Sequence, residues 1–276
     1  MKLLDKSQYK ILTEPLKQVK FNISFALSVI EQEVSGKVYV DNYENPNTFY
    51  VVHPYGMSLL FGDYSNTEFN KGFREYALNL INIRSEHEWM QVFPNAWDKV
   101  ITELFGDKLI KEASNTDKKE SGIIELNTRV NFKFNKEKYL SSKLETLPPN
   151  CTIVQTDKDV FRKMKGNVIP SNFWDSAEDF LNKGMGFTLL CENRNASTAY
   201  SAFVHKYKLE IGIETLEEFR GKGFAYYACS ALIDYCIANG YEPDWACRLE
   251  NTSSYKLALK LGFEPCEELS YYRLSK

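Results

Sequence analysis

Two glycines one residue apart, Gly221 and Gly223, stand between a β-patterned stretch ending near Thr215 and an amphipathic helix beginning near Ala225. Glycine takes left-handed backbone angles without penalty and lets main-chain N–H groups approach a ligand, while a helix start adds a positive dipole end. The stretch Glu218-Phe219-Arg220-Gly221-Lys222-Gly223-Phe224-Ala225 therefore predicts a strand, a tight loop and a helix N-terminus facing an anionic group. Two familiar phosphate loops fail on residues. A dinucleotide fingerprint needs a third glycine where Tyr226 stands, and a Walker loop needs Ser or Thr where Lys222 is followed by Gly223. Nor does total charge supply phosphate affinity: 34 basic and 37 acidic side chains leave −3, which argues against a nucleic-acid-binding surface and requires that any anion be held locally.

A length of 276 residues with 43% apolar and 26% charged side chains suits two domains with buried cores. The stiff segment Leu147-Pro148-Pro149-Asn150 places a boundary near 148, giving domains 1–148 and 149–276, and the polar run Lys111 to Gly122 reads as a surface loop. Before the boundary, apolar spacing predicts helices over Glu14–Val34, Asn66–Ile81 and Asn95–Phe105, with Gly106 closing the last. Strands are expected at 37–40, 48–52, 58–61 and 126–134. This half is mixed α and β, holds no catalytic arrangement, and faintly echoes the second half, as a degenerate repeat would. After the boundary come a capped helix over Ser171–Lys183 and strands at 187–192, 196–206 and 209–215. The amphipathic helix then runs to Asn239-Gly240, followed by a strand at 244–249, a helix from Thr252 to Leu261 capped by Asn251, and a final strand around 269–274. The fold class is α/β in the mixed, α+β sense.

Several chemistries are argued against. Charges scattered through residues 1–20 leave no signal-peptide stretch, and the uncharged run 45–62 is a poor spanning helix, so the protein is expected to be soluble, cytoplasmic and free of membrane. Six cysteines without a Cys-x-x-Cys pair suggest reduced, mostly buried thiols, and three scattered histidines make no metal site. With no Gly-x-Ser-x-Gly elbow, and with Cys229 and Cys236 on the buried stripe of a helix, covalent catalysis is discounted.

The pattern Arg220, Gly223, Ala225 resembles the Arg-x-x-Gly-x-Ala pyrophosphate loop of GNAT acyl-CoA N-acyltransferases. Asn251, Ser254 and Leu261-Gly262-Phe263 follow at the spacing of that superfamily's second block. More narrowly, Glu210-Ile211-Gly212-Ile213-Glu214-Thr215, Arg220 to Gly223, Asp234-Tyr235-Cys236, Trp245 and Ser254 to Phe263 resemble the subfamily that includes zwittermicin A resistance acetyltransferases, whose members also carry an amino-terminal half. The resemblance implies a C-terminal GNAT fold with a central mixed, mostly antiparallel sheet flanked by helices, beside an N-terminal α/β domain. It implies acetyl-CoA as co-substrate, no metal, and acetyl transfer to a primary amine of a small molecule, an antibiotic or metabolite, by direct attack in a ternary complex. The expected protein is a monomer or homodimer that binds no nucleic acid. Coenzyme contacts are carried to Ile213, Thr215, Arg220, Gly221, Lys222, Gly223, Phe224, Ala225, Asn251 and Ser254. Arg220 and Lys222 are equally readable as solvated loop residues, and Asn251 as a helix cap.

An amine attacks a thioester only when neutral, so a base is required. Glu210 and Glu214 are the candidates the superfamily suggests, on one face of a regular strand unless a bulge separates them, and an ordinary solvated edge is the competing reading. The tyrosine that often protonates the leaving thiolate would fall at Ala258. Tyr255, one turn earlier, is the substitute, against a packing role, and solvent can also serve. A CoA-binding sensor without catalysis and a longer acyl donor are the alternatives.

Overall fold

The computed structural model describes residues 1–111, 122–143 and 146–276, so the loop expected at 111–122 lies almost wholly outside the described residues. In chain order the strands are β1 (Lys2–Leu3), β2 (Lys37–Val40), β3 (Thr48–Val52), β4 (Met57–Gly62), β5 (Glu88–Phe93), β6 (Leu109–Lys111), β7 (Ile124–Phe134), β8 (Cys151–Gln155), β9 (Gly186–Cys191), β10 (Arg194–His205), β11 (Lys208–Thr215), β12 (Glu242–Arg248) and β13 (Phe263–Leu274). The α-helices are α1 (Thr13–Leu16), α2 (Ser24–Ile30), α3 (Thr67–Ala77), α4 (Ala96–Phe105), α5 (Lys136–Ser142), α6 (Lys158–Lys163), α7 (Ala177–Lys183), α8 (Phe224–Asn239) and α9 (Thr252–Lys260). They form two compact units. One comprises Met1–Arg129, Arg248–Glu250 and Glu268–Lys276; the other comprises Val130–Cys247 and Asn251–Glu267, a span that contains the Pro148-Pro149 segment.

In the first unit β1 to β4 pair antiparallel in succession, and β4 then pairs parallel with β5 from Met57↔Trp89 to Phe61↔Phe93. The end of β13 closes onto β5 at Tyr272↔Met90. Tyr50, Phe73, Trp97, Phe105 and Tyr272 fill the core. Glu88 is buried there, accepting from the hydroxyls of Tyr50 and Tyr76, with burial raising its carboxyl above the usual range. Arg84, also buried, donates to the carbonyls of Tyr76, Ala77, Glu86, Leu274 and Ser275 at 2.6–3.3 Å, using its planar fork to join the end of α3 to the chain's last strand.

In the second unit the order is β8-β9-β10-β11-β12, antiparallel except for the parallel pair β11·β12. Side chains alternate along a strand. Ala199, Leu209 and Ile211 thus join Trp245 and the α8 residues Ala228, Cys229, Leu232, Ile233 and Cys236 in one core. Tyr200, Glu210, Gly212 and Glu214 take the opposite face, where Phe173 packs on Tyr200 and Phe203 at 5.9 and 5.4 Å between ring centroids. Together these are the mixed, mostly antiparallel sheet and flanking helices that the resemblance implies.

Three expectations need correction. The helix over 14–34 is two short ones, because Asn22 Oδ1 takes the N–H of Ser24 at 2.9 Å and offers the backbone a turn instead. The apolar spacing there reflects burial of Leu16, Val19, Phe25 and Val29, not helix continuity. The helix over 171–183 begins only at Ala177, where Ser176 Oγ accepts from Asp179 N at 3.0 Å. The final strand starts at Phe263, and β5 was not anticipated at all.

His53, wholly buried in the turn after β3, accepts from Tyr55 N at 3.0 Å through Nδ1, and desolvation lowers its pKa from 6.5 to about 3. The folded state holds this ring neutral, so below pH 6.5 the unfolded chain binds the proton first and stability falls as pH drops toward 3. The slope from this group is at most about 1.4 kcal/mol per pH unit. His53→Asn, whose Oδ1 can take the same N–H, is expected to lose that component, read as a smaller difference in urea unfolding free energy between about pH 7 and pH 5.

Candidate functional site

A short 3₁₀ turn, Glu217–Phe219, follows Thr215 and leads to Gly221 and Gly223 at φ of 76° and 77°. A Cβ on either glycine would meet nothing within 4 Å, so the left-handed backbone, not crowding, demands glycine, and the space beside the loop is open. Phe219 anchors the loop: Phe224 packs on it at 6.0 Å, and Lys222 and Arg194 each lie 5.1 Å from its ring. Behind the loop starts α8, capped by Gly223 without any side-chain bond and with no acid in its first turn. The other described α-helices of this unit are side-chain capped, by Asn135, Asp157, Ser176 and Asn251. The longest and most buried helix is thus the one whose first N–H groups are left for an anion.

The loop sits at one end of an open strand edge. On one side β11 pairs with β10 from Thr215 to Lys208, but on the other its rungs to β12 number only three, Lys208↔Glu242, Leu209↔Pro243 and Glu210↔Asp244. Beyond them β11 continues to Thr215 and β12 to Arg248 without pairing to each other. Five residues of strand, about 16 Å, separate the closed end of this slot from the loop. An exposed strand edge of that kind suits an extended guest carrying amides.

The structure assigns the predicted carboxylates different work. Glu214 is buried and accepts from Asn167 N at 2.9 Å, Val168 N at 3.0 Å and the Arg220 guanidinium at 3.2 Å. Gly166 permits this, since a Cβ there would strike the Glu214 carboxyl at 2.4 Å. Arg220 also donates to Thr215 O at 3.0 Å, so Glu214 and Arg220 together brace the loop. The bulge lies on β10, between Ser201 and Phe203, leaving β11 regular with Glu210, Gly212 and Glu214 on one face. Glu210 is at the slot's closed end, beside Asp244. Desolvation first, and the Glu210 charge second, push the Asp244 carboxyl up to about 7. Sequence reasoning missed Asp244; an acid amid Pro243, Trp245 and Cys247 was visible, but its facing Glu210 is a matter of strand register.

The remaining candidates divide similarly. Thr215 Oγ1 meets Ser197 Oγ at 2.8 Å, and Ile213 packs on the core shared with α8. Asn251 caps α9 through Ser254 N at 3.2 Å, and Ser254 Oγ accepts from Trp245 Nε1 at 3.2 Å. Ala225 follows Phe224 in the first turn of α8. Ala258 is wholly buried, and Tyr255 packs edge-on against Phe132 at 5.3 Å, the packing role, so it is not placed by any bond as an acid. Among the described residues no cluster of His, Cys, Asp or Glu is arranged to hold a metal, and no helix is long and apolar enough to cross a membrane.

The family model for GNAT acetyltransferase matches residues 16–272. The uncharacterized N-acetyltransferase YdfB of Bacillus subtilis (strain 168) is 28% identical over 255 residues, covering 92% of this chain and 91% of its own. Of solved structures, a GCN5-related N-acetyltransferase-like protein from Streptococcus suis 89/1591 is similar with a TM-score of 0.68 at 20% identity, over 97% of this chain and 99% of its own. A tandem GNAT protein from the clavulanic acid biosynthesis pathway is similar with a TM-score of 0.60 at 7% identity, over 99% and 97%. At such identities the solved structures bear on fold alone.

Removing the Glu214 carboxylate would strand two backbone N–H groups and a guanidinium, so Glu214→Ala is expected to lower stability by about 2 kcal/mol in chemical unfolding. Glu214→Gln keeps an acceptor oxygen and should lose less. Because Glu214 braces the loop, its Gln variant is also expected to leave the pH dependence of any acyl transfer unchanged.

Proposed function

The chain belongs to the GNAT acetyltransferase family, and from that premise we propose that this acyltransferase of the EC 2.3.1 type moves the acetyl group of acetyl-CoA to a primary amine of a small molecule, by direct attack in a ternary complex. The observation that carries the reading is the uncapped start of α8 behind Gly221 and Gly223, at the mouth of the unpaired edge of β11. A pyrophosphate fits main-chain donors at Gly221 to Ala225 with Lys222 and Arg220 nearby, and the amide-bearing pantetheine arm fits the slot, its thioester end directed toward Glu210. Glu210, at the closed end beside Asp244, takes the amine's proton, while Glu214 braces the loop. Proton return to the departing thiolate falls to Tyr255, to solvent or to the amine itself. The resemblance to zwittermicin A resistance acetyltransferases makes an amine-bearing antibiotic or metabolite the class of acceptor, and a cytoplasmic setting accords with a coenzyme of that compartment.

The amino-terminal unit is proposed to be a GNAT-like repeat without coenzyme chemistry. Its run β2-β3-β4-α3-β5-α4 repeats the order β9-β10-β11-α8-β12-α9, with a parallel pair at the same place in each. The likeness to a tandem GNAT protein over 99% of this chain accords with this. Two differences separate them. β4 and β5 stay paired over five rungs, and the connection to α3 is only Asp63-Tyr64-Ser65-Asn66, where Asp63 accepts from Ser65 N and Asn66 caps Phe69 N. The donors that an anion needs are already taken by side chains.

Acetyl-CoA at about 100 times its Kd is expected to add roughly 2.7 kcal/mol, a rise in Tm on the order of 5 °C, with calorimetric binding at one site per chain. Thiol release over a panel of primary amines then identifies the acceptor, and absence of any stabilisation would defeat the reading. Gly223→Asp should weaken acetyl-CoA binding by at least about a hundredfold, because the new carboxylate caps α8 from within and repels the pyrophosphate. Normal binding by that variant would show that the loop is not the coenzyme site.

A further inference from the structure

Glu210 and Asp244 are Cα partners on the last rung of the parallel ladder, where the slot closes. Register partners on adjacent strands project to the same face about 4.8 Å apart, and like charges so placed repel. Glu210 is 7% exposed and Asp244 half-buried, so water screens the pair poorly. Lys208, two residues before Glu210 on the same face, is the cation acting on Asp244; Glu242, its partner across the ladder, adds a further negative charge, and the Cys266 thiol faces the same group. Lys133 and Glu267 lie beyond, acting on that thiol. Like charges on one poorly screened rung raise the proton affinity of the pair, so up to about neutral pH it retains a proton. The Trp245 N–H, donating to Asp244 Oδ1 at 2.9 Å, fixes the carboxyl in place. Phe203, the partner of Glu210 across β10, and Tyr200, opposite Gly212, stand on the same face with Phe173 against both. A net negative charge there favours a cationic guest over an anionic one.

We propose that Glu210 and Asp244 act as one proton-sharing pair that takes the proton from the ammonium form of the acceptor, Asp244 being a positioning residue that acts through Glu210. The proposal rests on the acetyl-transfer reading above. An N–H proton of the ammonium passes to the pair, and the freed nitrogen lone pair attacks the thioester carbonyl carbon. The C–N bond forms, the C–S bond breaks, and its electron pair leaves on sulfur. A second N–H proton converts the thiolate to thiol, and the pair returns its extra proton to water. The products are amide, thiol and one proton. A lone exposed carboxylate is too weak a base for the first transfer near neutrality; the doubly ionised pair, whose like charges on one poorly screened rung raise its proton affinity, is the stronger base, and taking the ammonium proton converts it to the proton-sharing form.

The test is a ¹³C titration of the side-chain carboxyls in the full chain without coenzyme. Wild type is expected to show a carboxyl midpoint within about one unit of pH 7 that disappears in Asp244→Asn, while Glu210→Gln lowers the Asp244 midpoint by at least about one unit. A wild type with no carboxyl titrating above about pH 6, or a Glu210→Gln variant with the Asp244 midpoint unmoved, overturns the pair. With the amine found by the thiol-release panel, Asp244→Asn should lower kcat/KM at neutral pH about tenfold and move its acid limb down by at least about one pH unit, with acetyl-CoA Kd within about twofold of wild type. An unmoved limb overturns the proposal and leaves acetyl transfer standing. Failure of the wild type to bind acetyl-CoA overturns acetyl transfer instead, and the carboxyl titration still decides the pair.

Discussion

The backbone ladder between Lys208–Thr215 and Glu242–Arg248 closes for three rungs and then stops, although both strands run on. The features of the second unit that bear on chemistry depend on that interruption. A parallel pair needs a crossover, and here the crossover is α8, buried against β9, β10 and β11, so its N-terminus is fixed just past the end of β11. Leaving this helix start without a side-chain cap costs only a few tenths of a kcal/mol relative to Ser, Thr, Asp or Asn, because glycine holds the position. The other described α-helices of the unit avoid that cost. At α8 the open donors and the open strand edge belong to the same opening, and a single extended anion-tipped ligand satisfies both.

Much of this was legible because it is local. Period-two alternation found β7, strand-forming runs joined by short turns found β9, β10 and β11, amphipathic spacing found α8, and Asn251 before Thr252 announced its helix with the cap it makes. Two glycines before a helix predicted left-handed angles, and both have them. What stayed hidden depends on distant partners. β5 gave no alternation because Glu88, Met90, Gln91 and Val92 are all buried. The meaning of Glu214 lies in the N–H groups of Asn167 and Val168, and that of Asp244 in its register with Glu210. Spacing alone placed Tyr255 near the chemistry, whereas packing on Phe132 is decided by the tertiary fold.

The near-neutral total charge conceals a gradient along the slot. At its mouth stand the dipole end of α8 and Lys222, with Arg220 paired to Glu214; at its closed end stand Glu210, Asp244 and Glu242 around Lys208. A donor carrying phosphates and an acceptor carrying an ammonium would be sorted to opposite ends by charge before any specific contact forms. Such a field is short-ranged, because opposite signs cancel beyond a Debye length, in keeping with a protein whose 34 basic and 37 acidic side chains nearly balance.

Arg84 and β13 carry an implication for biosynthesis. The first unit draws Tyr272 and Leu274 into its core, pairs β13 with β5, and binds the carbonyls of Leu274 and Ser275 through one guanidinium. A ribosome that has released residues 1–129 has therefore delivered a sheet whose β5 edge still lacks β13 and an arginine that has met Tyr76, Ala77 and Glu86 but not yet its acceptors at Leu274 and Ser275. The portion synthesised first is the portion that must wait, so the nascent chain carries an open strand edge until residues 272–274 emerge to close it.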